Sequence, residues 1–358
     1  MAQQISLFDG TQPLKIDKPI RLIELFAGIG SQAKALKNIG ADFEHYRICE
    51  FDKYAVKSYN AIHGTSFEPS DITKLKGMDL GIEDTDKYCY IMTYSFPCQD
   101  LSNSGNGKGM SKGSGTRSGL LWEVERLLTE TPCLPQILVM ENVPQVIGAK
   151  AMPDFAQWIA FLDELGYKSK YALLNAKDYG IPQNRERCFM VSVLGDYFYE
   201  FPSKMPLLYK PIDLLEENVA RKYFVSEKTK KAIIKTLGRY SHFLTDAPIS
   251  TIVSRYGRNY RGTVVLYDDY NSRVKEDQSS ICCVTTNTSA KAIRNGQKII
   301  VNGDVRILTP KEVWRFMGFT DADIGNAVAE GISDSQLFKM GGNSIVVQVL
   351  EAIFKQMF

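Results

Sequence analysis

Histidine is scarce, with three residues in 358, and positions 45, 63 and 242 are too scattered to share a metal ion. No CxxC pair occurs, and the seven cysteines follow no regular spacing. A zinc site is therefore not expected. An odd cysteine count without a secretory leader argues for reduced thiols and a cytoplasmic chain. The N-terminal stretch "MAQQISLFDGTQPLKIDKPI" lacks the apolar core a signal peptide needs. No run approaches the roughly 18 apolar residues of a membrane span, and there is no internal repeat or low-complexity tail. Net charge is also nearly absent, at +2, but it is unevenly spread: residues 221–300 carry 15 Lys/Arg against 6 Asp/Glu, and the remainder 28 against 35. A basic segment on an acidic body fits a polyanion partner. A basic solvated face without any partner would give the same numbers.

What is present begins with alternation. "RLIELFAG" reads as a strand entering a Gly-x-Gly turn, and "SQAKALKNIG" as a short helix stopped by Gly40. "HYRICEFD", "KYCYIMTYSF" and "QILVMENV" read as further strands. Leu120, Leu121, Val124, Leu127 and Leu128 form one helical stripe, and "PDFAQWIAFLDELG" is an amphipathic helix. "SKYALLNAKDYGIPQNRERCFMVSVL" reads as two strands around a turn. This pattern predicts an α/β fold, a parallel Rossmann-like sheet with helices on both faces. Beyond Glu200 the pattern breaks into short β-like pieces between polar, basic and aromatic loops, "STIVSRYG", "RGTVVLYD" and "SICCVTTN" among them. Helical periodicity returns in "LTPKEVWRFMGF" and "SIVVQVLEAIFKQMF". At 358 residues two domains are expected. Residues 1–200 with 330–358 would form the α/β domain, and 201–329 a smaller, irregular β-rich one.

The chemically interesting residues fall at predicted carboxyl ends of strands, where such sheets bind ligands. "FAGIG" follows a strand, and Glu50 lies twenty-two residues beyond Gly28. Glycines let backbone approach a nucleoside cofactor, and an acid after the next strand accepts ribose hydroxyls. The third glycine of the dinucleotide fingerprint is missing, as is a Gly-Lys-Ser/Thr phosphate loop, so a tight structural turn explains this motif equally well. Cys98 follows Pro97 at a strand end, and Glu141 ends another strand beside Asn142. A cysteine there is a candidate nucleophile only if its surroundings favour thiolate. A carboxyl group in a crevice can donate a proton, although an acid at a strand end is more often a cap or a surface residue. Arg185 and Arg187, two apart, would share one face of a strand. Residues 102–119 contain eleven Gly or Ser among eighteen, a linker composition placed inside a domain. Beside a nucleophile this suggests a moving cover; a mobile surface loop is the plainer alternative.

In order, "FAGIG", "PCQ", "ENV", "QNRER", a variable basic stretch, "RILTPKE" and "GGNSI" resemble the C5-cytosine DNA methyltransferase family, over almost the whole chain from Arg21 to Phe358. Two positions depart from the family pattern: Glu24 stands where Asp is frequent, and Ser31 where Gly is frequent.

The resemblance implies S-adenosylmethionine as cofactor, with Phe26, Gly28 and Gly30 at its methionine end, Glu50 on the ribose and Phe51 on the adenine. Asp71 and Ile72 in "PSDI" would contact the adenine ring and its amino group, and Asn343 and Ser344 would close the pocket. It implies Cys98 as the nucleophile adding to C6 of cytosine, Glu141 at N3 and the amino group, Arg187 at O2, and Arg185 in support. Double-stranded DNA would be the partner, its target base flipped out of the stack. Contacts to DNA would come from Gln99, Ser102, Ser104, Lys108, Lys112 and Arg117, and from Arg255, Arg258 and Arg261 of "SRYGRNYRG" in a target-recognition domain. A monomer without membrane attachment is expected, in a bacterial cell or phage-encoded, with a cognate restriction endonuclease left open. The rival readings are a tRNA cytosine methyltransferase, a catalytically silent DNA-binding relative and, more distantly, a nicotinamide dehydrogenase.

Overall fold

Extended runs, the longer ones rich in Ile, Leu, Val and Tyr, supply ten strands up to residue 198, seven of them in one large sheet. In chain order they are β1 (Ile5–Ser6), β2 (Gln12–Pro13), β3 (Ile20–Leu25), β4 (Phe43–Cys49), β5 (Cys89–Tyr94), β6 (Ile137–Asn142), β7 (Tyr167–Asn175), β8 (Gln183–Asn184), β9 (Glu186–Leu194) and β10 (Tyr197–Phe198). The computed structural model describes residues 5–6, 11–98, 101, 109–235, 241–243, 248–252, 262–267 and 304–358. The chain divides into two compact units: Met1–Asn175 with Glu186–Lys204 and Ile345–Phe358, and Ala176–Arg185 with Met205–Ser344.

The first unit holds a seven-stranded sheet in the order β1-β7-β9-β6-β5-β3-β4. Strands β3 to β6 run parallel, whereas β9 is antiparallel to β6, β7 to β9, and β1 to β7. The expected all-parallel sheet is thus corrected to a mixed one. The reason is local: only a short excursion separates β7 from β9, far too little chain for a parallel crossover. Side chains alternate across the strands, and both faces are covered. Tyr90, Met92, Tyr94, Leu138 and Met140 share one core with Leu121, Val124 and Leu127 of α3 (Leu121–Glu130) and Phe155, Trp158 and Leu162 of α4 (Met152–Glu164). Ile91, Thr93, Ile137 and Val139 are buried on the opposite face. That coverage explains why these strands read as continuous apolar runs. The last helix, Val347–Lys355, packs beside α1 (Ser31–Asn38), the helix that precedes α2 (Lys53–His63), and Asn38 donates to Glu351 at 2.7 Å.

In the second unit, short strands β11 (Ser241–Phe243), β13 (Gly262–Tyr267) and β14 (Asp304–Ile307) form a three-stranded sheet, and β12 (Ile249–Ser250) pairs with β8. Helices Pro310–Arg315, Asp321–Ala329 and Asp334–Asn343 follow. The chain returns to the first unit at Ile345 rather than near residue 330, and residues 176–185 belong to the second unit. The piece "SICCVTTN" lies outside the described residues. One stretch departs from the composition argument: Asp334–Lys355 is apolar enough to resemble a membrane span, yet 78% of its most apolar window is buried within the protein. It consists of two successive helices, Asp334–Asn343 and Val347–Lys355.

Candidate active site

Strand β3 ends in a backbone outlier. Phe26 takes φ 59°, a left-handed conformation that is rare for a bulky residue and costs about 1–3 kcal/mol. The turn is held by Phe26 N–H and Ala27 N–H, which both donate to Cys49 O at the end of β4, at 2.7 and 3.2 Å. The chain then crosses Gly28 and Gly30, also at positive φ, into α1. A side chain at Gly30 would lie 2.3 Å from His63 Nε2 and 2.6 Å from Tyr59, so only glycine fits. Gly28 has no atom within 4 Å of where its Cβ would be. One glycine is therefore pressed down onto the protein and the other opens onto free space.

Glu50, just past β4, accepts from Gly28 N–H at 3.0 Å and from Asp52 N–H at 2.9 Å. Burial pushes its carboxyl group up, and these backbone donors oppose the shift. Phe51 beside it is 76% exposed, which is unusual for a phenylalanine and suits a stacking platform. Ser70 N–H donates to Glu50 O at 2.8 Å, which brings the next two residues alongside. Asp71 caps the turn Ile72–Lys74, accepting from Thr73 N–H and Oγ, bonds that hold its carboxyl below the usual range. Ile72 is buried. Phe26, Gly28, Gly30, Glu50, Phe51, Asp71 and Ile72 thus gather around the ends of β3 and β4. An exposed ring, a carboxylate anchored by backbone and an open glycine turn fit the adenine, ribose and amino-acid parts of S-adenosylmethionine.

Beneath the turn lies Glu24, which the sequence marks only as a departure from the family pattern. Glu24 on β3 is buried and accepts from Tyr59 OH, which is also within 2.9 Å of His45 Nδ1. Burial raises the Glu24 carboxyl to about 7 and holds the Tyr59 phenol far above its ordinary value. Below its unfolded pKa of about 4.5, Glu24 is protonated in both states and its burial has no electrostatic penalty. Between pH 4.5 and 7 the unfolded state releases this proton while the folded state keeps it, so stability falls, by at most about 3 kcal/mol, and levels off above 7. Glu24→Gln should therefore match the wild type near pH 4.5 and exceed it above pH 7, measured by urea unfolding across pH. A constant difference at every pH would show that ionisation of Glu24 is not involved.

The second cluster stands at the ends of β5, β6 and β9. Cys98 is half-buried, four residues beyond β5. Glu141 and Arg187 lie diagonally on the same face of β6 and β9, where Glu141 pairs with Phe189, and their side chains meet at 3.2 Å. Both are largely shielded, with side chains 12% and 16% exposed. Asn142 points elsewhere: its amide donates to Phe96 O at 3.0 Å and its Oδ1 accepts from Val143 N–H at 2.8 Å. The other described cysteines are unsuited to reaction or lie apart. Burial pushes Cys49 up to about 11, Cys89 up to about 12 and Cys188 higher still, while Cys133 is exposed beyond α3.

Three expected site residues belong to the second unit. Arg185 is buried, and its guanidinium donates to Ile252 O, Gly342 O and Ser344 O at 2.7, 3.1 and 2.7 Å. It thereby fastens together backbone segments of that unit. Asn343 is the exposed last residue of helix Asp334–Asn343, and Ser344 caps it, donating to Met340 O at 2.9 Å. Of the DNA-contact candidates, Arg117 is exposed. Lys112 pairs with Glu125 at 2.7 Å and lies 5.5 Å over the Trp122 ring, so in this state it is drawn onto α3. Trp122 Nε1 holds the same segment through Met110 O at 2.6 Å. Gln99, Ser102, Ser104, Lys108, Arg255, Arg258 and Arg261 lie outside the described residues.

Comparison with known proteins converges on one family. Residues 20–358 match the family described as "C-5 cytosine-specific DNA methylase". The Type II methyltransferase M2.ScrFI of Lactococcus lactis subsp. cremoris is 32% identical, covering 95% of this chain and 99% of its own. The orphan methyltransferase M.SssI of Spiroplasma monobiae is 33% identical over 94% of this chain and 96% of its own. Among solved structures, S. pombe Dnmt2 methyltransferase superposes with a TM-score of 0.70 at 19% identity, covering 94% and 97% of the two chains. The Entamoeba histolytica methyltransferase EhMeth gives 0.73 at 18%, covering 96% and 98%; both likenesses speak to the fold. With its glycine turn, strand-end cysteine and carboxylate–arginine pair in that order, the chain belongs to the C-5 cytosine-specific DNA methylases, enzymes that transfer a methyl group from S-adenosylmethionine to C5 of cytosine.

Proposed function

We propose that Cys98, Glu141 and Arg187 carry the chemistry of cytosine C5 methylation in duplex DNA. The observation behind this is the Glu141–Arg187 pair at the ends of β6 and β9, one strand over from the segment that bears the half-buried Cys98. S-adenosylmethionine supplies an electrophilic methyl group on a sulfonium. C5 of cytosine is too weak a nucleophile to take it unaided. The Cys98 thiolate forms a bond to C6, and the electron pair of the C5–C6 double bond becomes available at C5. Glu141 holds N3 and the exocyclic amino group, giving a proton as negative charge develops on the ring. Arg187, which lies 3.2 Å from Glu141, would turn to O2. The C5 electron pair takes the methyl group as the sulfonium S–CH3 bond breaks, leaving S-adenosylhomocysteine. Water then accepts the C5 proton, and the C6–S pair returns to the Cys98 sulfur. The ring gives its added proton back to Glu141, and the C5–C6 double bond is restored.

Phe26, Gly28, Gly30, Glu50, Phe51, Asp71 and Ile72 would hold the cofactor. The second unit, with the basic stretch in its sequence, would read the DNA. A target cytosine reaches Cys98 only when unstacked, at a few kcal/mol.

Glu141→Gln keeps the shape and removes the proton. It should slow single-turnover methyl transfer by about 10²–10⁴-fold while leaving S-adenosylhomocysteine affinity nearly unchanged. An unaltered rate would reduce Glu141 to a structural partner of Arg187. Transfer of tritiated methyl groups to duplex DNA in preference to tRNA tests the substrate class directly.

A further inference from the structure

The segment from Ser95 to Cys98 belongs to no helix or strand, so no ladder fixes its backbone. Pro97 removes a donor immediately before the cysteine, which leaves carbonyls as the handles by which neighbours can grip this stretch. Two consecutive carbonyls are gripped by side chains. Phe96 O accepts from Asn142 Nδ2 at 3.0 Å, and Pro97 O accepts from Ser118 Oγ at 2.7 Å. Both donors are buried, at 2% and 0% exposure. The Asn142 amide has only one consistent orientation, because its oxygen is already taken by Val143 N–H.

The two grips come from different directions. Asn142 follows Glu141 at the end of β6, so one strand end carries both an acid and a tether to the nucleophile's segment. Ser118 opens the turn Ser118–Leu120 that leads into α3, twenty-one residues beyond Pro97. Its bond falls on the carbonyl of the peptide whose nitrogen belongs to Cys98. Rotation of that peptide plane swings the Cys98 side chain directly.

We propose that Ser118 is a positioning residue for the methylation reaction: its hydroxyl, bonded to the carbonyl preceding Cys98, orients the thiol toward C6. The assignment rests on Cys98 being the nucleophile. Misplacing a reacting atom by about 1 Å can cost roughly 10² in rate without loss of binding. Ser118→Ala removes one oxygen and leaves the Pro97 carbonyl free to turn. Ser118→Cys keeps a similar shape with a weaker donor.

The test uses the full-length protein with S-adenosylmethionine and a duplex in which every cytosine is 5-fluorocytosine. Fluorine cannot leave as a proton does, so the C6–S bond persists, and a denaturing gel reads the rate of its formation. Ser118→Ala should form the adduct about 10–100-fold more slowly, and Ser118→Cys should fall between it and the wild type. S-adenosylhomocysteine and DNA affinities should stay within about twofold in both. A wild-type rate in Ser118→Ala, or a parallel loss of cofactor affinity, would overturn the positioning role. If the wild type itself forms no adduct, the nucleophile assignment fails, and this proposal with it.

Discussion

Cys98→Ala should bring methyl transfer to background, a fall of roughly 10⁵-fold or more, because the bond at C6 is assigned to Cys98, the one half-buried thiol among the described cysteines. The expected result is selective. Transfer of tritium from labelled S-adenosylmethionine to duplex DNA disappears, while S-adenosylhomocysteine still binds, since the glycine turn and Glu50 lie on other strands. The denaturation-resistant adduct with 5-fluorocytosine duplex is lost as well. Replacing Cys49, Cys89 or Cys188 by alanine should leave the adduct intact. Each of those is buried, its thiol raised by that burial, and its role is packing. Residual methylation within about tenfold of the wild type in Cys98→Ala would remove covalent catalysis from the mechanism.

Periodicity made the strands legible, and spacing made the site legible. "FAGIG" indicated a Gly-x-Gly turn after a strand, and both of its glycines sit at positive φ. The leucine stripe of α3 and the hairpin of β7 and β9 were readable for the same reason: each depends on neighbours in sequence. Pairing across long separations was not readable. Nothing in "TRSG" says that Ser118 will meet Pro97 O, or that Tyr59 will reach back to Glu24. The resemblance puts Lys112 at DNA phosphates, and its pairing with Glu125 of α3 was not readable. Arg185 and Arg187 looked alike in "QNRER". The unit boundary falls between Arg185 and Glu186, so one guanidinium binds backbone carbonyls of the second unit and the other meets Glu141 in the first. A two-residue spacing predicts a shared face only within one strand, and β9 begins after Arg185.

The largest stability effect should come from "RILTPKE", a block that identifies the family but takes no part in the proposed chemistry. Arg306 and Glu312 are both buried and joined by two parallel bonds of 2.7 Å. Glu312 also accepts from Thr309 N–H at 2.7 Å, closing the cap of helix Pro310–Arg315, and from Glu216 N–H at 2.9 Å. One carboxylate therefore ties a strand end, a helix start and a loop of the second unit. Glu312→Ala would leave a guanidinium buried without its counter-charge, which costs about 3–5 kcal/mol. Urea unfolding followed by Trp314, which lies in the same unit, should show a lower midpoint and an unfolding free energy reduced by that amount. The double variant Arg306→Leu with Glu312→Leu removes both charges and should be less destabilised than Glu312→Ala, because the orphaned charge is the dominant penalty. Thr309 and Glu216 N–H would still lack their acceptor, so recovery should stop short of wild type. If the double variant loses as much as the two single changes combined, Arg306 and Glu312 act independently, and the fold of this unit rests on the helix cap alone.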